Sequence, residues 1–148
     1  MNITVRKALR QELAWINDRY DEAGFKRSHF EREIIAIAEM AGERVGLGRL
    51  VKINDQMAEL SGVYVLPNYR QQGIASQIIK FLLEINPFQQ VFCLPLAHQK
   101  AFYARYGFDI ATPSGSLPAE IQEKYEGQKY EGQNRPSSQE ILLLVLNR

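Results

Sequence analysis

The sequence predicts one domain of the α/β (α+β) class, and three observations predict it. Residues 34–66 read as three strands joined by short turns. Apolar stripes with helical spacing flank that stretch, at 9–20 and at 74–85. The chain has 148 residues, 45% apolar and 24% charged, which is the length and balance of an ordinary globular domain.

The elements follow in chain order. Residues 2–6 alternate Ile3 and Val5 with Thr4 and Arg6, a short strand signal. Leu9, Leu13, Ile16 and Tyr20 then recur at helical spacing, and Gly24 closes that helix. The mixed, charged stretch 21–32 holds Ser28, a candidate cap for a short second helix. A strand follows at 34–40, a turn at Ala41-Gly42-Glu43, a second strand at 44–53, and a third at 57–66 that Pro67 stops. Short turns between three such runs imply an antiparallel meander. Ile74, Ile78, Leu82 and Ile85 form the next helical stripe, ended by Asn86-Pro87. A short strand at 91–94, a helix at 97–106 stopped by Gly107, and a last strand at 140–146 complete the pattern.

The segment 112–139 differs. It holds three of the six prolines and three of the ten glycines. It also contains the pentapeptide Lys-Tyr-Glu-Gly-Gln twice in tandem, at 124–128 and 129–133. A period of five is too short for a solenoid unit, so the expectation is a duplicated surface loop. A short helix at 118–126 fits inside it, and a lid or acceptor-selecting loop is the sharper alternative.

Composition removes several function classes. Eighteen basic against seventeen acidic residues leave a formal charge of +1, which argues against a broad nucleic-acid face. Cys93 is the only cysteine, which excludes an intrachain disulfide and a Cys-rich zinc site, and no metal is expected with two histidines, His29 and His98. Flanked by Phe92 and Leu94, Cys93 reads as a buried small apolar residue, with a covalent nucleophile as the lesser alternative. The longest strictly apolar run is six residues, 141–146, against about twenty for a membrane span, and the N-terminus has no apolar leader. The expected location is the cytoplasm.

The most informative stretch is 63–76, Val-Tyr-Val-Leu-Pro-Asn-Tyr-Arg-Gln-Gln-Gly-Ile-Ala-Ser. A strand runs into a loop that opens a helix at Gly73. The first turn of a helix has unpaired N–H groups and the positive end of the dipole, which together hold phosphate. Small residues at 73 and 75 let a pyrophosphate approach the backbone, and Arg70 can add charge. Taken alone, the pattern is also that of an ordinary strand–turn–helix connection. It is neither a P-loop nor a dinucleotide fingerprint.

In context the sequence resembles the GNAT superfamily of N-acetyltransferases. Their acyl-CoA signature, Arg/Gln-x-x-Gly-x-Gly/Ala between the fourth strand and the following helix, is met by Arg70, Gly73 and Ala75. Their later Tyr-x-x-x-Gly-Phe unit is met by Tyr103, Gly107 and Phe108. The order of elements agrees, over essentially the whole chain, with 112–139 least covered. One departure is plain: many members have Asn where Leu96 stands. The contact that Asn makes must be absent or taken over, with His98 and Gln99 as candidates.

The resemblance implies a GNAT (acyl-CoA N-acyltransferase) fold spanning 1–148, with a mixed, largely antiparallel sheet of six to seven strands and helices on both faces. It implies transfer of acetyl from acetyl-CoA, as cosubstrate, to a primary amine by direct attack. Backbone N–H groups of Gln71, Gln72, Gly73, Ile74, Ala75 and Ser76 would hold the pyrophosphate beside Arg70. The backbone of Val63, Tyr64 and Val65 would align the pantetheine arm. Pro95, just past the fifth strand, cannot donate to a ladder and would help the two strands part.

A Lys-like amine has a pKa of about 10.4 and needs a base. Glu59, fourteen residues before Gly73 (73 − 59), holds the place of the glutamate of the histone-acetylating branch. A solvated or Arg-paired Glu59 is the alternative, with waters and carbonyls relaying the proton. Tyr103 holds the family's position for the acid that protonates the leaving thiolate; a core aromatic is its bland reading. The expected acceptor is a small-molecule amine, with a protein N-terminus or lysine second. A non-catalytic acyl-CoA-binding module on the same scaffold is the competing class. No nucleic-acid or membrane partner is expected, and a homodimer is left open.

Overall fold

A computed structural model describes residues 2–112, 117–131, 136 and 139–148. Seven strands form one mixed sheet: β1 (Ile3–Lys7), β2 (Glu33–Met40), β3 (Glu43–Lys52), β4 (Met57–Val65), β5 (Gln90–Cys93), β6 (Asp109–Ile110) and β7 (Leu144–Asn147). Hydrogen-bonded neighbours run β1-β2-β3-β4-β5-β7-β6. The β4–β5 pair is parallel, while β1–β2, β2–β3, β5–β7 and β6–β7 are antiparallel. The α-helices are α1 (Leu13–Ala23), α2 (Ile74–Ile85), α3 (Lys100–Ala104) and α4 (Ala119–Glu131). The chain divides into two compact units. The first holds Met1–Lys52 and Leu60–Asn86, the second Ile53–Glu59 and Pro87–Arg148.

In the first unit, β2 and β3 are joined by a hairpin whose two turn residues, Ala41 and Gly42, have φ of +52° and +78°. Consecutive left-handed residues match the twist of the strands they join, and of the three residues read as the turn Glu43 already belongs to β3. Helix α1 ends where expected: Gly24, at φ +77°, turns its N–H back onto the carbonyls of Tyr20 and Asp21. The stripe foreseen on α1 supplies Ile16 and Tyr20 to a buried cluster with Ile35, Ile37 and Leu47. Helix α2 buries Ile74, Ile78, Ile79 and Leu82. It packs closely on β3, because a Cβ on Gly48 would lie 2.7 Å from Ile78 Cγ2. Any larger residue at 48 would push the helix off the sheet.

Ser28 caps no helix. It is buried, its N–H donates to Asn17 Oδ1 at 2.6 Å, and its hydroxyl accepts from Arg49 Nη1 at 2.6 Å. The chain makes only a 3-10 turn at Phe30–Arg32, with no side-chain cap. A serine that satisfies buried partners is unavailable to cap.

In the second unit, Met57, Ala58 and Glu59 pair with Gln90, Val91 and Phe92. On its other side β5 pairs with β7, whose last residue is Asn147. The regular last strand is thus shorter than 140–146 at its start, where Ile141 makes only an isolated bridge to Leu96. The two-residue β6 was not expected; its register is Asp109 to Val145 and Ile110 to Leu144. The helix expected over 97–106 begins as a 3-10 turn at Ala97–Gln99 and continues as α3.

The loop expectation for 112–139 is corrected by α4. Ile121 is 1% exposed and packs with Phe92, Ala111 and Leu143, with Leu117 and Tyr125 against the same cluster. Ile121 and Tyr125 are one turn apart, so they share a face and anchor the helix. The short helix at 118–126 is therefore present and longer. The first copy of the repeat lies wholly within α4, and residues 132–133 of the second lie outside the described residues.

Candidate active site

In the first unit, β4 leads into the motif. Leu66 N–H donates to Val45 O at 2.9 Å, and a 3-10 turn at Pro67–Tyr69 follows. Arg70 Nε donates to Val65 O at 2.9 Å, and the guanidinium carbon lies 5.5 Å from the centre of the Tyr64 ring. Arg70 thus fastens the turn to the end of β4 as well as bringing charge to it. Gln71 and Gly73 both have left-handed backbone, at φ +65° and +79°.

Gly73 is the N-cap of α2, with no side-chain cap, and no acidic residue stands in the first turn. A Cβ built on Gly73 would meet nothing within 4 Å. Gln71, Gln72 and Gly73 are exposed, Ile74 is buried, and Ala75 and Ser76 are half-buried. An uncapped helix start, open at its first residue and free of carboxylates, is suited to an anion. Val63, Tyr64 and Val65 are half-buried on β4. The Val65 carbonyl already accepts from Arg70.

The second unit brings Glu59 onto a lysine. Lys124 Nζ donates to Glu59 Oε2 at 2.6 Å, with side-chain exposures of 36% and 12%. The cation that pairs with it is therefore a lysine, not an arginine. Helix α4 delivers the amine, held by Ile121 one turn before it and Tyr125 beside it. Tyr103, on α3, is buried, with Phe102 and Phe108 edge-on to its ring at 5.1 Å and 5.8 Å. Burial, and secondarily the nearby Cys93, push its phenol well above the usual tyrosine range. Cys93 is also buried; desolvation and then the charge of Glu59 raise its thiol strongly. A thiol that keeps its proton is a poor nucleophile, so Cys93 fits its apolar reading.

At the departure from the family pattern, Leu96 is extended and donates its N–H to Gln99 Oε1 at 3.0 Å. Gln99 is thus engaged by backbone, while His98 is exposed.

Sequence reasoning passed over a buried polar knot in the first unit. Tyr20 hydroxyl donates to Gly62 O at 2.9 Å, and the Arg49 guanidinium lies 4.3 Å from the centre of the Tyr20 ring. Arg49 Nε donates to Ser61 Oγ at 3.3 Å. The knot braces β4 just before Val63–Val65. Its one sequence signal is an arginine inside the apolar run 45–51.

Among the described residues, no group of three or more His, Cys, Asp or Glu could hold a metal ion, and no helix is long and apolar enough to cross a membrane. A family model described as "Acetyltransferase (GNAT) domain" matches residues 31–110. The chain belongs to the GNAT acetyltransferase family. The matched span of this GNAT chain includes Glu59, the turn at 70–76 and Tyr103, and ends before α4.

Solved structures share the GNAT fold over nearly all of the chain. Rv2747 from Mycobacterium tuberculosis, solved with CoA and NLQ, is 21% identical with a TM-score of 0.70, over 98% of this chain and 99% of that one. N-acetylglutamate synthase from Neisseria gonorrhoeae, solved with coenzyme A and N-acetyl-glutamate, is 19% identical at TM-score 0.68, over 99% of this chain and 35% of that longer one. A GNAT acetyltransferase from Elizabethkingia anophelis with acetyl-CoA bound is 16% identical at TM-score 0.64, over 99% of both. No curated protein matches the sequence significantly.

Proposed function

We propose that this GNAT chain, acting over 1–148 as one catalytic domain in the cytoplasm, transfers acetyl from acetyl-CoA to a primary amine of a small molecule. The observation that carries the reading is the uncapped start of α2, open at Gly73 and reached through Arg70-Gln71-Gln72. Those features fit a pyrophosphate: the first N–H groups of a helix have no intrahelical partner, and the glycine leaves room for close approach. The backbone of Val63 to Val65 aligns the pantetheine arm, with one carbonyl, that of Val65, already taken by Arg70. Acetyl-CoA supplies an activated thioester.

The chain's own residues then manage protons. Glu59 accepts the proton of the acceptor ammonium after exchanging Lys124 for it. Tyr103 stays protonated because its burial disfavours the phenolate. That same burial widens its gap from a thiol of pKa about 8.5. Complete proton transfer is correspondingly uphill, so the phenol acts chiefly by a hydrogen bond that strengthens as charge grows on the sulfur. The neighbour solved with N-acetyl-glutamate supports a small-molecule acceptor.

The test is thioester consumption with purified chain, acetyl-CoA and a panel of small amines, alongside calorimetry of acetyl-CoA binding. Turnover with a small amine is expected. Turnover with peptides only would move the acceptor to protein, and binding without turnover on any amine would leave an acyl-CoA-binding module.

A further inference from the structure

Lys124 is a primary amine seated on the carboxylate that the preceding reading assigns as base. We propose that Lys124 is an intramolecular acetyl acceptor, modified at Nζ by its own chain; this rests on that reading of Glu59 and acetyl-CoA. Three observations carry it. First, Nζ lies 2.6 Å from Glu59 Oε2, within the distance a base needs to remove its proton. Second, Glu59 is 12% exposed, so Lys124 holds the place that an incoming ammonium would take. Third, Ile121 and Tyr125 fix the helix on either side of Lys124. An amine already seated on its base needs no separate encounter with it, an advantage that an exposed lysine lacks.

The chemistry balances. Nζ attacks the thioester carbonyl carbon; an N–C bond forms, the C–S bond breaks, and sulfur leaves as thiolate. The ammonium loses two protons in becoming an amide. Glu59 takes the first before attack; of the two, one ends on the thiolate and one in solvent. The amide is uncharged, so the ion pair ends with the reaction and Glu59 is released to other acceptors.

The tandem repeat supplies an internal control. Lys129 stands in the same pentapeptide as Lys124, on the same helix, but is exposed, with its Nζ 5.6 Å from the centre of the Tyr125 ring. Spontaneous acylation follows exposure and favours Lys129. Acylation by the chain favours Lys124.

The experiment incubates the full chain with acetyl-CoA and follows acetylation of each lysine by fragment mass spectrometry. Lys124 should react at least about tenfold faster than Lys129, at a rate per molecule independent of protein concentration. Glu59→Gln should slow Lys124 by about tenfold or more and leave Lys129 unchanged. Lys124 reacting no faster than Lys129, a rate that rises with protein concentration, or a Glu59→Gln chain labelled at the normal rate would each overturn the proposal. Calorimetry separates the two readings: acetyl-CoA bound with Lys124 unlabelled defeats only this inference, and no acetyl-CoA binding defeats both.

Discussion

Gly73→Ala tests the cofactor assignment because the structure provides a matched control. Gly73 and Gly24 have nearly the same backbone, φ +79° and +77°, and a Cβ at either meets nothing within 4 Å. One begins α2 and the other ends α1. Left-handed backbone costs an L-residue about 1–2 kcal/mol, and neither site adds a clash. Gly73→Ala and Gly24→Ala should therefore lose the same stability, about 1 kcal/mol, read as equal shifts in urea midpoint. Their effects on acetyl-CoA should differ. A methyl at Gly73 occupies the space through which a pyrophosphate reaches the N–H groups, so affinity should fall at least about tenfold, or 1.4 kcal/mol. Gly24→Ala should bind normally. Calorimetry decides: normal affinity in folded Gly73→Ala, or an equal loss in both variants, refutes the assignment of the cradle to 71–76.

Tyr103→Phe should lower kcat and kcat/KM together by about 10²-fold, with acetyl-CoA affinity unchanged, because the lost hydrogen bond exists only as the thiolate forms. Glu59→Gln should be most impaired at low pH, where the acceptor is protonated, and should recover partly as pH rises; Tyr103→Phe should show no such recovery. Glu12 is buried, and hydrogen bonding to Arg6 first, then the Leu9 N–H, lowers its carboxyl to about 2 against 4.5 unfolded. A depressed carboxyl contributes stability that is present above about pH 4.5 and lost as pH falls toward 2, so Glu12→Gln should flatten the fall in urea midpoint across that window. Ile121→Ala should cost about 2–5 kcal/mol by thermal or urea unfolding, whereas deleting one copy of the repeat should leave stability near normal. The copies are identical, so cutting either removes the equivalent of 129–133 and retains Ile121, Lys124 and Tyr125.

What could be read from sequence was local. The β2–β3 hairpin, the end of α1 and the buried face of α2 each follow from residues within a turn or two of one another. So does the helix start at Gly73, whose openness needs only a glycine and the absence of a capping side chain. What escaped reading was either too short or too distant. Two residues of β6 carry no period. Ser28 looks like a cap until Asn17 and Arg49, eleven and twenty-one residues away, engage it. Helix α4 rests on one apolar pair, Ile121 and Tyr125, within a segment whose prolines and glycines signal a loop.

The same division runs through the chemistry. The turn proposed to hold the pyrophosphate is made of consecutive residues, so its motif is visible as a string. Even there, the Arg70 side chain gained a partner five residues back, and its role shifted from charge alone toward fastening the turn. The Glu59–Lys124 pair is separated by 65 residues, and its cation lies in the segment that sequence describes least. Glu59 can serve as base to another amine only when Lys124 leaves it, either by rotating away or by losing its charge. The first route makes α4 a competitor of the acceptor amine at every turnover. The second makes the helix a substrate once, after which the competition ends. In the second case Lys124→Arg, which keeps a cation but cannot be acetylated by this route, should show a persistent rise in KM for the acceptor, while wild-type KM falls during preincubation with acetyl-CoA. A wild-type KM constant through preincubation would leave rotation as the route by which Glu59 is freed.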